Sequence, residues 1–191
     1  MKQAEITNFA ILDFEASSLS AQSWPIEIGL SWIERDTVQT WHSLICPAAD
    51  WDLTDWSPQS GAIHGIPLSD LENAPSASKV AQEFLNILGG RQLVSDAPEF
   101  ETRWLSRLFM ACGEGQLPPI EEFDDVSFAM YSGYALDMVY ETIERRPAPH
   151  RAGPDSARLA RGWLRATQLQ APDAAKPAVG TLLRGARTKP D

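Results

Sequence analysis

Phe9-Ala10-Ile11-Leu12-Asp13-Phe14-Glu15-Ala16-Ser17 is the stretch on which the fold turns. It opens on a short apolar run that ends in acidic residues, the pattern of a buried strand from Phe9 to Phe14. Side chains alternate along a strand, so Asp13 and Glu15 share a face. Two carboxylates held that close repel unless a cation lies between them. Mg²⁺ and Mn²⁺ are hard ions that prefer such oxygen ligands. Taken alone, the pair also fits a strand end that runs into solvent.

Ile26 to Ile33 and Thr37 to Ile45 read as two more strands, joined by a hairpin turn at Glu34-Arg35-Asp36. Residues 47–78 are rich in Pro, Ser, Asp and Trp and read as a long structured loop with at most short helices. Ser78 is the expected N-cap of a helix from Lys79 to Leu88, stopped by Gly89-Gly90. A strand is expected over Gln92 to Ser95, and Pro98 opens a helix to about Ala111. Val126 to Met130 is the candidate last strand. Helices follow at Tyr134 to Arg145 and from Gly153-Pro154 to about Gln168. This order predicts an α/β domain over residues 1–170, a mixed five-stranded sheet with helices on its faces. Residues 171–191 hold Ala, Pro, Gly and basic residues with little to bury, and are expected to form a disordered basic tail.

No apolar run reaches the roughly 18 residues of a membrane span, and Met1 to Asn8 lacks the layout of a signal peptide. Cys46 and Cys112 make no metal-ligand spacing. Two reduced thiols in a cytoplasmic protein with no membrane partner are expected. The net charge of −10 argues against a nucleic-acid partner until it is divided. Residues 1–144 carry 6 basic and 23 acidic side chains, and residues 145–191 carry 10 basic and 3 acidic. So polarised a chain has the makings of a basic flank beside an acidic pocket, although a solvated basic helix explains the charges equally well.

Four stretches sharpen the picture. Leu12-Asp13-Phe14-Glu15-Ala16-Ser17, followed by Pro25-Ile26-Glu27-Ile28-Gly29, resembles the first motif of the DEDDh 3′–5′ exonucleases, in the ribonuclease H-like superfamily. Phe100-Glu101 with Trp104-Leu105 resembles the second, with Glu101 where that family has Asp and with Asp96 five residues earlier. His150 and Asp155, five apart at a helix start, resemble the third. Ile63-His64-Gly65-Ile66 is a weaker echo of a stretch that lines the nucleotide pocket in relatives.

The resemblance spans about residues 9–165 and implies a ribonuclease H-like fold. It implies two Mg²⁺ or Mn²⁺ ions held by Asp13, Glu15, Asp155 and a second-motif carboxylate, Glu101 or Asp96. His150 is implied as general base, a role that an imidazole suits because it titrates near neutral pH. Phe14, Ala16, Ser17 and His64 fall where the family holds the terminal nucleotide. The implied reaction is stepwise hydrolysis from the 3′ end of DNA or RNA, releasing nucleoside 5′-monophosphates. The departure at Glu101 keeps open a non-catalytic module of the same fold that binds nucleic acid or protein. A relative acting on small nucleotides also stays open.

Overall fold

The computed structural model describes residues 5–113 and 115–170. A 3₁₀ turn (Ile6–Asn8) leads into a five-stranded sheet in the order β3-β2-β1-β4-β5. Its strands are β1 (Phe9–Ala16), β2 (Pro25–Glu34), β3 (Thr37–Leu44), β4 (Gln92–Ser95) and β5 (Ile120–Glu122). The first three form an antiparallel meander, while β4 and β5 run parallel to β1. The central strand pairs with β4 only through Phe9, Ala10 and Ile11, and continues past it. Asp13 and Glu15 therefore lie on the overhang, where one side of the strand opens toward a cleft instead of a neighbour.

Alternation along β1 divides the core in two. Leu12 and Phe14 pack against α3 (Ala77–Leu88) and α4 (Pro98–Met110) on one face. Phe9 and Ile11 pack against α5 (Phe123–Met130), α6 (Gly133–Glu144) and α7 (Ala152–Gln170) on the other. In the second core Trp163 is 1% exposed and stacks on Phe123 at 5.0 Å, and its indole N–H donates to Ser127. α7 reaches the sheet because β2 has no side chain at Gly29: a Cβ there would sit 2.2 Å from the Ala152 carbonyl.

The 47–76 loop is built on tryptophan. Trp24 is buried between Trp51 and Trp56, each 5.9 Å away between ring centroids. Two short helices lie in it, α1 (Pro58–His64) and α2 (Leu68–Leu71). Gly65, in the left-handed region at φ 66°, ends the first.

Two local expectations are corrected. Val126 to Met130 is helical, and the fifth strand is Ile120–Glu122 just before it. The buried residues Phe123, Val126, Ser127 and Met130 follow a helical spacing, which a five-residue apolar window is too short to reveal. Ser76, not Ser78, caps α3, its hydroxyl accepting from the Lys79 N–H at 3.4 Å. Ser78 lies inside the first turn. Cys46 and Cys112 are both free thiols. Among the described residues no helix is long and apolar enough to cross a membrane. The expected basic tail falls outside the described residues.

Candidate active site

At the overhanging end of β1 the chain gathers three acid groups from two elements. Asp13 and Glu15 come from β1, and Asp155 comes from the first turn of α7. Each offers one oxygen, and the three oxygens lie within 4.8 Å of one another. A helix N-terminus favours a carboxylate at the Asp155 position. That side chain also accepts the Arg151 backbone N–H at 3.0 Å, which closes the helix start. Its other oxygen is buried without a hydrogen bond, with the Arg158 guanidinium 3.4 Å away.

The second-motif carboxylates border this trio from different sides. Glu101, in the first turn of α4, is 2% exposed, and its Oε2 is buried with no partner. Asp96 follows β4 and opens to solvent at the cleft. Electrostatics register the crowding. Burial, then Glu15 and Asp155, holds the Asp13 carboxyl well above the usual range. Burial, then Asp13 and Asp96, does the same to Glu101. The Glu15 carboxyl is pushed up to about 7 by burial and by Asp155 and Glu27, against the pull of Arg151. A site that keeps orphaned carboxylate oxygens in such proximity fits hard divalent cations, which neutralise the charge and use the oxygens as ligands.

The trio, Asp96 and His150 line a cleft of about 230 Å³. His150 stands exposed at its rim, in the left-handed backbone region at φ 53°. A larger, more apolar pocket of about 260 Å³ adjoins it, lined by Phe14, Ala16, His64 and Glu101 among others. His64 is 5% exposed. Burial lowers its pKa, so the ring is neutral near pH 7. Its Nδ1 accepts the Ile66 N–H at 3.0 Å, which leaves the proton on Nε2, an unpartnered donor. Ser17 points elsewhere: it is fully buried and its hydroxyl accepts the Trp24 N–H at 3.0 Å.

Sequence reasoning passed over four residues here. Leu19 and Ile63 are 68% and 57% exposed and form apolar lips of the second pocket. Exposed apolar residues beside a cleft are a binding signal only once the cleft is seen. Glu27 and Arg151 form an ion pair near Glu15, with only the Glu27 side fully buried. Glu27 is fully buried and receives two hydrogen bonds from the Arg151 guanidinium, at 2.7 and 2.8 Å. The Ala152 N–H adds a third at 3.0 Å, and His42 Nδ1 lies 3.4 Å away. The Pro-Ile-Glu-Ile-Gly stretch held the signal, since a Glu inside an apolar strand calls for a partner.

Comparison with known proteins agrees with this geometry. A family model described as an exonuclease, of RNase T type, matches residues 10–161. The chain belongs to this exonuclease family. The DEDDh resemblance seen in its motifs is of the same kind. A PolC-type DNA polymerase III of Thermotoga petrophila is 32% identical over 161 residues. That alignment covers 81% of this chain but 11% of the polymerase, so the chain spans about a tenth of the relative's length. Among solved structures, the nuclease domain of 3′hExo, a DEDDh family member bound to rAMP, has a TM-score of 0.63 at 16% identity. The match covers 85% of this chain and 92% of that one. Exonuclease X in complex with 5′ overhanging duplex DNA has a TM-score of 0.57 at 20% identity, over 85% and 92% of the two chains. These likenesses establish the ribonuclease H-like fold.

Proposed function

We propose that the protein is a metal-dependent 3′–5′ exonuclease of the DEDDh type that releases nucleoside 5′-monophosphates from a nucleic acid. The observation that carries this reading is the convergence of Asp13, Glu15 and Asp155 within 4.8 Å, with the buried, unpartnered oxygen of Glu101 close by. These four carboxylates are the proposed holders of two Mg²⁺ or Mn²⁺ ions. Glu101 is preferred to Asp96 because an orphaned oxygen at 2% exposure needs a cation more than a solvated one does. When bound, such ions acidify a water and stabilise a leaving oxygen.

The chain's own groups supply the rest. His150, at the open rim, takes a proton from the attacking water. Leu19 and Ile63 bracket the terminal base with apolar surface. His64 offers its Nε2–H to a sugar or phosphate oxygen. Exonuclease X, a relative in fold, is seen with duplex DNA, which supports a nucleic-acid substrate.

End-labelled DNA and RNA oligomers incubated in Mn²⁺ and in Mg²⁺ test the proposal. Mononucleotides with a ladder shortening from the 3′ end are expected. His150→Ala should slow the reaction roughly 10²–10⁴-fold, the usual weight of a general base. Binding without cleavage in either metal would point instead to a non-catalytic module.

A further inference from the structure

We propose that the arginines of α7 and of the end of α6 form a track for the phosphodiester backbone of a nucleic-acid strand whose 3′ end occupies the carboxylate cleft. This rests on the exonuclease reading above for the placement of that end. Arg158, Arg161 and Arg165 are spaced three and four residues apart, so they stand on one face of α7. Arg145 and Arg146, at the end of α6 and just beyond it, line the same surface. Together these side chains bound two adjoining clefts of about 390 and 320 Å³, which share Arg146 and Arg161. Neither cleft is lined by a carboxylate. In a chain with 26 acidic residues, an acid-free concavity is unlike the mixed charge of an ordinary solvated helix face.

Pairing points the same way. Arg146, Arg161 and Arg165 are exposed and make no ion pair among the described residues. Arg145 pairs with Glu141, and Arg158, at the cleft, pairs with Asp155. The guanidinium fork matches phosphate oxygens, which makes unpaired arginines a phosphate surface in waiting.

Continuity with the metal cleft gives the track its direction. Arg158 lines both the carboxylate cleft and the first basic cleft, so positive surface begins where the acidic site ends. From Asp155 to Arg165 the helix advances about 15 Å. That length suits several nucleotides and exceeds what a mononucleotide needs. An acidic protein segment would meet the same charges, but nothing ties such a segment to the carboxylate cleft.

The test pairs binding with hydrolysis in wild type, Arg161→Ala/Arg165→Ala and Arg161→Glu/Arg165→Glu. Binding of a fluorescent single-stranded oligomer is measured with Ca²⁺ as the ion, across about 50–200 mM salt. The alanine variant should bind roughly tenfold or more weakly, and its salt slope should shrink by about 1.4, the share of two phosphates on a single strand. The glutamate variant should bind more weakly still. Hydrolysis in Mn²⁺ of thymidine 5′-monophosphate p-nitrophenyl ester, too short to reach Arg161, should stay within about twofold in the alanine variant. Unchanged oligomer affinity and salt slope in both variants would overturn the track. So would variants that keep oligomer binding while losing affinity for poly-glutamate. If wild type hydrolyses neither ester nor oligomer, the exonuclease reading fails, while the binding comparison still decides whether the surface holds nucleic acid.

Discussion

Glu101 carries its carboxylate one methylene farther than the aspartate that its family uses, and α4 spends that reach by burying the group against Asp13. An ion held by a longer, more flexible ligand meets a less strict geometry, which Mn²⁺ tolerates better than Mg²⁺. Activity should therefore be higher in Mn²⁺, and Glu101→Gln should reduce turnover more than Asp96→Asn does. Turnover of both variants in each metal checks this, and a more harmful Asp96→Asn would move the ligand to Asp96. Glu15 supports a prediction about pH in the metal-free protein. Its folded pKa, about 7, lies above its ordinary value of 4.5. Below about pH 4.5 it is protonated folded or unfolded, with no penalty. As pH rises toward 7 the unfolded chain releases the proton first, so stability falls. Glu15→Gln should thus gain on wild type between pH 5 and 8, by on the order of 1 kcal/mol after solvent screening, in EDTA melting curves. A difference that stays flat with pH would refute it. Strand alternation put Asp13 and Glu15 on one face, and the resemblance to the family's motifs made them, His150 and Asp155 legible as candidates. The choice between Glu101 and Asp96 was not legible, because burial is decided by how α4 packs on β1. Leu19 and Ile63 were missed for the same reason: their exposure counts only beside a pocket made by distant segments.

α7 shows how an element carries the site. Gly29 lets its backbone touch β2, Ser156 bonds Ser31 across the contact at 2.9 Å, and Arg151 grips Glu27. Those anchors fix the turn on which Asp155 and His150 stand, including the left-handed backbone at His150. On the exonuclease reading proposed above, Arg151 acts as a positioning residue. Arg151→Ala leaves Glu27 charged at zero exposure with only the Ala152 N–H and His42 beside it, a loss of up to about 3 kcal/mol that endangers folding. Arg151→Lys keeps the charge but loses the two-pronged grip. It should lower kcat about tenfold or more with KM little changed, and keep the Mn²⁺-induced rise in melting temperature. A variant with wild-type kcat would remove the positioning role. Most elements were readable from their ends: Gly89 after α3, Pro98 at the start of α4 and the 34–36 turn are all where the sequence puts them. The miss was α5, a two-turn helix behind a three-residue strand, where neither period repeats often enough to declare itself.

Across the whole molecule the charges divide as the chain does, net −17 over residues 1–144 and net +7 over residues 145–191. The fold brings the two signs side by side, so the acidic cleft opens next to the arginine face. Such an arrangement stores repulsion at one point. Without a cation, the half-buried Asp13 sits among Glu15, Asp155, Asp96 and Glu27, and the folded state bears that cost. Asp13→Asn removes the central charge, so in EDTA near pH 8 its melting temperature should lie above that of wild type. Millimolar Mn²⁺ or Mg²⁺ should reverse the order. Ion at about a hundred times its Kd contributes about 2.7 kcal/mol, or roughly 5–10 °C for a domain of this size. Asp13→Asn should show only a small part of that rise. The two melting curves must therefore exchange places as metal is added. A carboxylate cluster of no functional consequence would behave otherwise: its variant would stay the more stable at every metal concentration, and wild type would not respond to the ion.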